Sequence, residues 1–210
     1  MTTEELRGGL RERKKQRTRR DLVAASLDLC ARHGFDTATL DDIAARAEVS
    51  KRTFFRFFAA KEDAVLAPEV ELFDAMLQAL RAHSLQGPLI DVLRDAVIGA
   101  LDGRGPQWHA QFAAALGIIE ASPAVRAAAL GHCSLVTDRA ALLLRERTGA
   151  DPQGEQMARL TVDVFVAAWR SASARWSQQG APDPAALRRL AAQACARVVR
   201  VPDYTLTPRP

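Results

Sequence analysis

The stretch Thr39-Leu40-Asp41-Asp42-Ile43-Ala44-Ala45-Arg46-Ala47-Glu48-Val49-Ser50-Lys51-Arg52-Thr53-Phe54-Phe55-Arg56-Phe57-Phe58 decides the fold. Its first four residues read as a capping box, with the Thr39 hydroxyl on the Asp42 amide and that carboxylate reaching back. Leu40, Ile43, Ala44 and Ala47 then form the buried stripe of a short helix. Glu48 and Val49 make a turn, and Ser50 caps a second helix from Lys51 to Phe58. On that helix Phe54 and Phe58 share a face at i, i+4. Helix, short turn, helix, with small and apolar residues facing inward, is the helix-turn-helix pattern.

Working outward, helical spacing continues almost everywhere, and no alternating strand or internal repeat interrupts it. A preceding helix is expected from about Thr18 to His33, ended by Gly34 in a left-handed C′ conformation. Beyond Lys61 the spacing predicts an all-helical body. A segment over 61–83 should be broken and renewed at Pro68, which suits a first helical turn. Further helices are expected to about Leu101, over 107–121 and 123–148, from the Pro152 region to just before Gly180, and from Pro184 to about Arg200. The fold class is all-α, with about nine helices. The expected division is a basic arm over 1–17, a helix-turn-helix domain over 18–62, a larger body over 63–201 and a tail over 202–210.

Charge divides the chain in the same way. Residues 1–61 hold 14 Lys/Arg against 9 Asp/Glu, and residues 62–210 hold 15 against 16, so the whole positive excess lies in the first part. Within residues 7–20, eight cations face the single acid Glu12. A charge run alone is most often a solvated face. Directly before a helix-turn-helix it reads as an arm for an anionic polymer, with Arg13, Lys14, Lys15, Arg17 and Arg19 as its candidate contacts. The second helix must present polar residues to a major groove about 12 Å wide. Ser50, Lys51, Arg52 and Thr53 meet that demand with hydroxyls and long cations.

Other chemistries lack their residues. The sequence has no Walker loop, no Gly-rich dinucleotide fingerprint and no Gly-x-Ser-x-Gly elbow, so no enzyme and no cofactor is expected. His33, His83, His109 and His132 share no metal spacing with one another or with a cysteine. Cys30, Cys133 and Cys195 are odd in number and far apart, which fits a reducing cytoplasm better than a disulfide framework. No apolar run approaches ~18 residues, so no membrane span is expected.

Residues 18–66 resemble the DNA-binding domain of the tetracycline-repressor (TetR) family of bacterial regulators. The matching pieces are Leu27-Asp28-Leu29-Cys30-Ala31-Arg32-His33-Gly34-Phe35, Thr37 to Ala44, Val49 to Phe58, and Lys61-Glu62-Asp63. The resemblance implies that Thr39 touches phosphate while capping. It makes Lys51, Arg52 and Thr53 the readers of base edges and phosphates, and Lys61 a holder of the DNA backbone. Phe55 and Phe57 depart from the family, which commonly carries Tyr and His or Tyr there. Two phenyl rings cannot donate to phosphate, so Arg56 and the basic arm are expected to take over that anchoring, the arm along a narrow minor groove.

The family resemblance also implies that the last two helices pair with a second copy as a homodimer, here through Met157, Leu160, Val164, Leu187, Leu190, Ala194 and Val198. A symmetric pair of heads suits a pseudo-palindromic double-stranded operator. The body is then expected to enclose an effector pocket lined by Trp108, His109, Phe112, Leu116, Ile119, Arg139, Phe165 and Trp169. A looser similarity to actinobacterial members implies an acyl-CoA-like or other apolar effector. The expected function is a ligand-responsive repressor, cytoplasmic and associated with the bacterial nucleoid. The competing reading is a helical scaffold whose basic arm meets anionic partners without specificity.

Overall fold

The computed structural model describes residues 3–180 and 183–201. The tail expected over 202–210 lies outside the described residues. Nine α-helices follow one another among the described residues: α1 Thr3–His33, α2 Leu40–Arg46, α3 Lys51–Phe57, α4 Lys61–Ala82, α5 Leu89–Asp102, α6 Pro106–Ala121, α7 Pro123–Thr148, α8 Pro152–Ser177 and α9 Pro184–Val198. They fall into two compact units. The first comprises the described residues as far as Pro68 together with Gln111–Ala129, and the second Glu69–Ala110 together with Leu130 onward. The first unit thus takes in a later segment that the sequence division assigned to the body.

Helix α1 starts fifteen positions before its expected beginning, so the basic arm is helical and continuous with it. Thr18, expected near the start, lies mid-helix and bonds its hydroxyl back to the Lys14 carbonyl at 3.0 Å. Gln16 reaches Glu12 at 2.8 Å one turn away. Leu, Glu, Lys, Gln and Arg favour helix even without an apolar stripe to mark it. The stripe begins only at Leu22, where Leu22, Val23, Ala25, Ser26, Leu27 and Cys30 are buried. Buried Ser26 satisfies its hydroxyl on the Leu22 carbonyl at 2.8 Å. Gly34 ends the helix at φ 83°, as expected.

The second difference is at Pro68, which lies inside a continuous α4. Proline removes one helical donor. The flanking Ala64, Val65, Leu66, Ala67, Leu72 and Phe73 are all buried, and their packing outweighs the lost bond. In the second unit α8 packs along α9, and α5 packs against both. Asp151 and Asp183 cap α8 and α9 through the amides of Gly154 and Ala185, with Pro152 and Pro184 in the first turns. Helix α7 is long and apolar enough to cross a membrane by length and composition only, although Arg126, Asp138 and Arg139 interrupt its apolar run. Its Val136, Ala140, Leu143 and Leu144 are buried within the fold, as in a core helix.

Candidate nucleic-acid interface

Local chemistry builds the reading head. The Asp42 amide donates to Thr39 Oγ1 at 3.2 Å, while the Asp42 carboxylate accepts from the Thr39 amide at 3.2 Å and its hydroxyl at 2.6 Å. These bonds hold the Asp42 carboxyl below its ordinary pKa. Helix α2 closes when the Val49 amide bonds the Ala44 carbonyl at 2.9 Å and the Glu48 amide bonds the Ala45 carbonyl at 3.0 Å. That pair of bonds is a Schellman ending, and it puts Glu48 at φ 54°, a conformation usually reserved for glycine. Ser50 then caps α3 by accepting from the Thr53 amide at 3.2 Å.

The turn fixes which side of α3 faces outward. Phe54 is fully buried, and its ring meets Phe58 at 5.6 Å and Phe55 edge-on at 5.7 Å. Lys51, Arg52, Phe55 and Arg56 are left exposed on the opposite side. Three exposed cations thus share this short helix with a phenyl ring that is 53% exposed. Thr39 and Ser50 are exposed too, with their hydroxyls engaged in capping; Thr53 is half-buried, and its hydroxyl lies 3.0 Å from that of Ser50. On α1, Arg13, Lys14, Lys15 and Arg17 are exposed, while Arg19 is half-buried over the Phe58 ring at 5.4 Å.

Two of the expected readers have partners within the protein. Lys51 Nζ sits 2.7 Å from an Asp41 carboxylate oxygen, a pair invisible to helical spacing because it bridges α2 and α3. Lys61, expected to hold the DNA backbone, instead turns inward. Its ammonium donates to the carbonyls of Phe35 and of Ala38, the latter at 2.7 Å, and lies 4.1 Å from the Phe35 ring centre. The reason is the loop between α1 and α2, whose carbonyls have no helical donors of their own. Lys61 therefore fastens that loop. Arg56, the expected substitute for the missing phosphate donors, stacks over Phe57 at 5.2 Å with its guanidinium edge still exposed.

The expected effector lining is divided between the two units. Phe112, Leu116 and Ile119 belong to the first, and Trp108, His109, Arg139, Phe165 and Trp169 to the second. In the second unit His109 lies edge-on to Trp108 at 5.1 Å and to Trp176 at 6.3 Å. Its Nδ1 is 3.0 Å from the Gly105 carbonyl, while its buried Nε2 has no partner. Phe165 and Trp169 are fully buried. Arg139 departs from the expectation: it is exposed and bonds Asp74 at 2.8 Å, because a guanidinium keeps its hydration wherever a surface carboxylate is within reach.

The expected pairing face is largely outward. Met157, Leu160 and Val164 are exposed on α8, while Leu190, Ala194 and Val198 are half-buried on α9. Val164, Leu190, Ala194 and Val198 line one groove of about 400 Å³ between the two helices. Leu187 is a correction: it is fully buried with Ala186, Ala191 and Cys195 on the inner side of α9, so it belongs to the core of its own chain. Sequence reading passed over one buried charge, Glu69, on the apolar face of α4. A lone acid amid Ala64-Val65-Leu66-Ala67 and Leu72-Phe73 was the available signal.

Residues 22–67 match the family model described as bacterial regulatory proteins, tetR family, and residues 87–201 match a second model, the MftR C-terminal domain. The chain is 32% identical over 187 residues to the HTH-type transcriptional regulator TcmR of Streptomyces glaucescens, covering 85% of this chain and 81% of that one. It is 35% identical over 103 residues to the HTH-type transcriptional repressor LfrR of Mycolicibacterium smegmatis, covering 49% and 51%. Its fold is similar to that of Thermus thermophilus FadR, a transcriptional repressor solved in complex with lauroyl-CoA. The TM-score is 0.52 at 22% identity, over 91% of this chain and 98% of that one.

Proposed function

This chain belongs to the TetR family of bacterial regulatory proteins and is a helix-turn-helix transcriptional regulator; from that premise we propose how its own residues do the work. The observation that carries the reading is that Lys51, Arg52, Phe55 and Arg56 of α3 are all exposed while Phe54 is buried. Arg52 supplies the forked donor that suits a guanine edge, and Phe55 supplies an apolar contact of the kind made with a thymine methyl. Thr39, Ser50, Thr53 and the α1 cations Arg13, Lys14, Lys15, Arg17 and Arg19 serve the phosphates around them. Lys61 acts at one remove, by fixing the loop that carries α2.

The regulator works as a dimer in the cytoplasm, on the nucleoid. The half-open groove between α8 and α9 and the exposed Met157, Leu160 and Val164 form an apolar face that a second copy would cover. Two heads then meet a pseudo-palindrome with half-sites about one helical turn or a multiple apart. A small apolar effector, acyl-type ligands included, binds the body and favours the form whose heads no longer fit successive grooves. DNA and effector oppose each other reciprocally. LfrR is a transcriptional repressor, and repression is the mode proposed for this chain.

Gel-shift titration against the DNA upstream of its own gene, with scrambled DNA as competitor, tests this. The expected result is preference for the upstream DNA at physiological salt, lost when Arg52 is replaced by Ala. Equal affinity for both DNAs would leave an unspecific binder of anions.

A further inference from the structure

Helix α1 begins at Thr3, but its buried stripe begins only at Leu22. The arm ahead of that stripe is therefore about 28 Å of helix, at about 1.5 Å per residue. It also lies wholly ahead of the family domain, which starts at residue 22. From Arg11 to Arg17 every side chain is exposed, so no other described element covers this part of the arm. Six exposed cations fall there in two rows: Arg13, Arg17 and Arg20 at i, i+4 and i+7, and Arg11, Lys14 and Lys15 at i, i+3 and i+4. At about 100° per residue the two rows stand about 150° apart, on opposite sides of the helix. Glu12, the one acid between positions 11 and 20, is held by Gln16 at 2.8 Å. Arg17 stands 3.8 Å from Asp21, with both side chains exposed.

Two physical consequences follow from that shape. Like charges at i, i+4, here Arg11 with Lys15 and Arg13 with Arg17, oppose the helix, and no buried stripe offsets them. Anions lying between the cations remove that opposition. The second consequence is width. A helix with its side chains is about 10–12 Å across, whereas the minor groove is about 6 Å wide and the major groove about 12 Å. The arm enters the minor groove expected for it only if α1 unwinds ahead of Leu22. As a helix it fits a major groove.

We propose that the arm binds DNA as a helix: it stays wound on the operator, seated in a major groove, with one row of cations on the phosphates of each bordering strand. A groove of that width holds one helix, so the arm lies outside the base pairs that α3 reads. Phosphates are alike at every sequence, so the arm adds affinity and salt dependence without adding base preference. The inference rests on the operator reading above and deepens it.

The test compares Gln16→Pro and Gln16→Ala with the native protein, in fluorescence anisotropy titrations against the upstream DNA from about 50 to about 200 mM salt. Proline at 16 removes the amide bond to the Glu12 carbonyl and turns the preceding residues off the helix axis, yet it suits the first turn of what remains of α1. Every cation of the arm is kept, so the shape alone changes. Gln16→Pro should bind about 10-fold or more weaker at the low-salt end. Its slope of log affinity against log salt should flatten by about 2 or more, with the two arms of a dimer losing at least one phosphate each. Gln16→Ala should match the native protein, and circular dichroism should show both variants folded. Hydrogen exchange at amides 11–17 of the native protein should slow when DNA is added. Unchanged affinity and slope in Gln16→Pro, an equal loss in Gln16→Ala, or exchange that fails to slow overturns the helical arm and leaves the operator reading standing. A native protein without preference for the upstream DNA over scrambled DNA overturns the operator reading itself.

Discussion

The helix-turn-helix head and the body built on α5, α8 and α9 solve opposite problems with the same helical material. In the head the helix starts and the turn between α2 and α3 are closed by bonds between near neighbours: Thr39 with Asp42, Ser50 with Thr53, Val49 with Ala44. Its described cations other than Lys61 and Arg19 are exposed, while Leu22, Ile43, Phe54 and Phe58 are buried. The body reverses this. It leaves Met157, Leu160 and Val164 exposed and buries Glu69 and His109 with polar atoms that have no partner. A head so arranged is finished as a surface and waits only for a groove. A body so arranged suits the pairing and the ligand binding proposed for it above.

The largest test of that contrast lies on the outer face of α8. Val164→Arg would bury an unpaired cation in the groove between two copies, costing the pair about 3–5 kcal/mol. Analytical ultracentrifugation should find a monomer with the native helical spectrum. A dimer of unchanged affinity would mean that the exposed apolar face is not what pairs.

Next in size is the interior acid. The Glu69 carboxyl lies at about 7 in the folded chain against an ordinary 4.5, so folding takes up a proton between those values. Its stability is therefore full below about pH 4.5 and lost as pH rises through about 7, by up to about 3 kcal/mol. The charged group that bears on it is Arg170; the neighbouring Cys133 thiol, pushed up to about 11 by burial, stays neutral across this window, and Asp74 and Arg139 act on His132 instead. Urea melts across that window should show the slope in the native protein and its loss in Glu69→Gln. An identical slope in both would place the acid's partner inside the protein after all.

The smallest effect is in the head. Asp41→Asn releases Lys51 from its exposed partner, a pair worth at most about 1 kcal/mol. Operator affinity should rise up to about 5-fold at low salt and less at high salt, measured by fluorescence anisotropy. A fall would mean that Asp41 positions Lys51 for its contact.

Most of the head was legible because its structure is made of short-range chemistry. The capping box, the Ser50 cap, the Gly34 ending and the i, i+4 pair of Phe54 and Phe58 each involve residues within five positions of one another. The helices of the body were legible for the same reason, since Pro152, Pro184 and the apolar periods mark them locally. The helix was expected only from about Thr18 because periodicity falls silent where no stripe is buried, although the residues of the arm favour helix. Pro68 was misjudged because a local rule met packing that outweighed it.

The sequence by itself determined an all-helical chain, the place of its reading head, and the separation of positive charge from apolar body. Tertiary structure alone decided which members of each stripe faced which way. It turned Lys61 onto the carbonyls of Phe35 and Ala38, more than twenty positions back, and paired Lys51 with Asp41 across a turn. It drew Leu187 into the core while leaving Leu160 outside, and it set the Phe73 ring against Trp169 of a distant helix. A cap or a period depends on bonds that a few consecutive residues can make alone. The partner of a long side chain depends on which distant backbone arrives beside it, and no local pattern records that arrival.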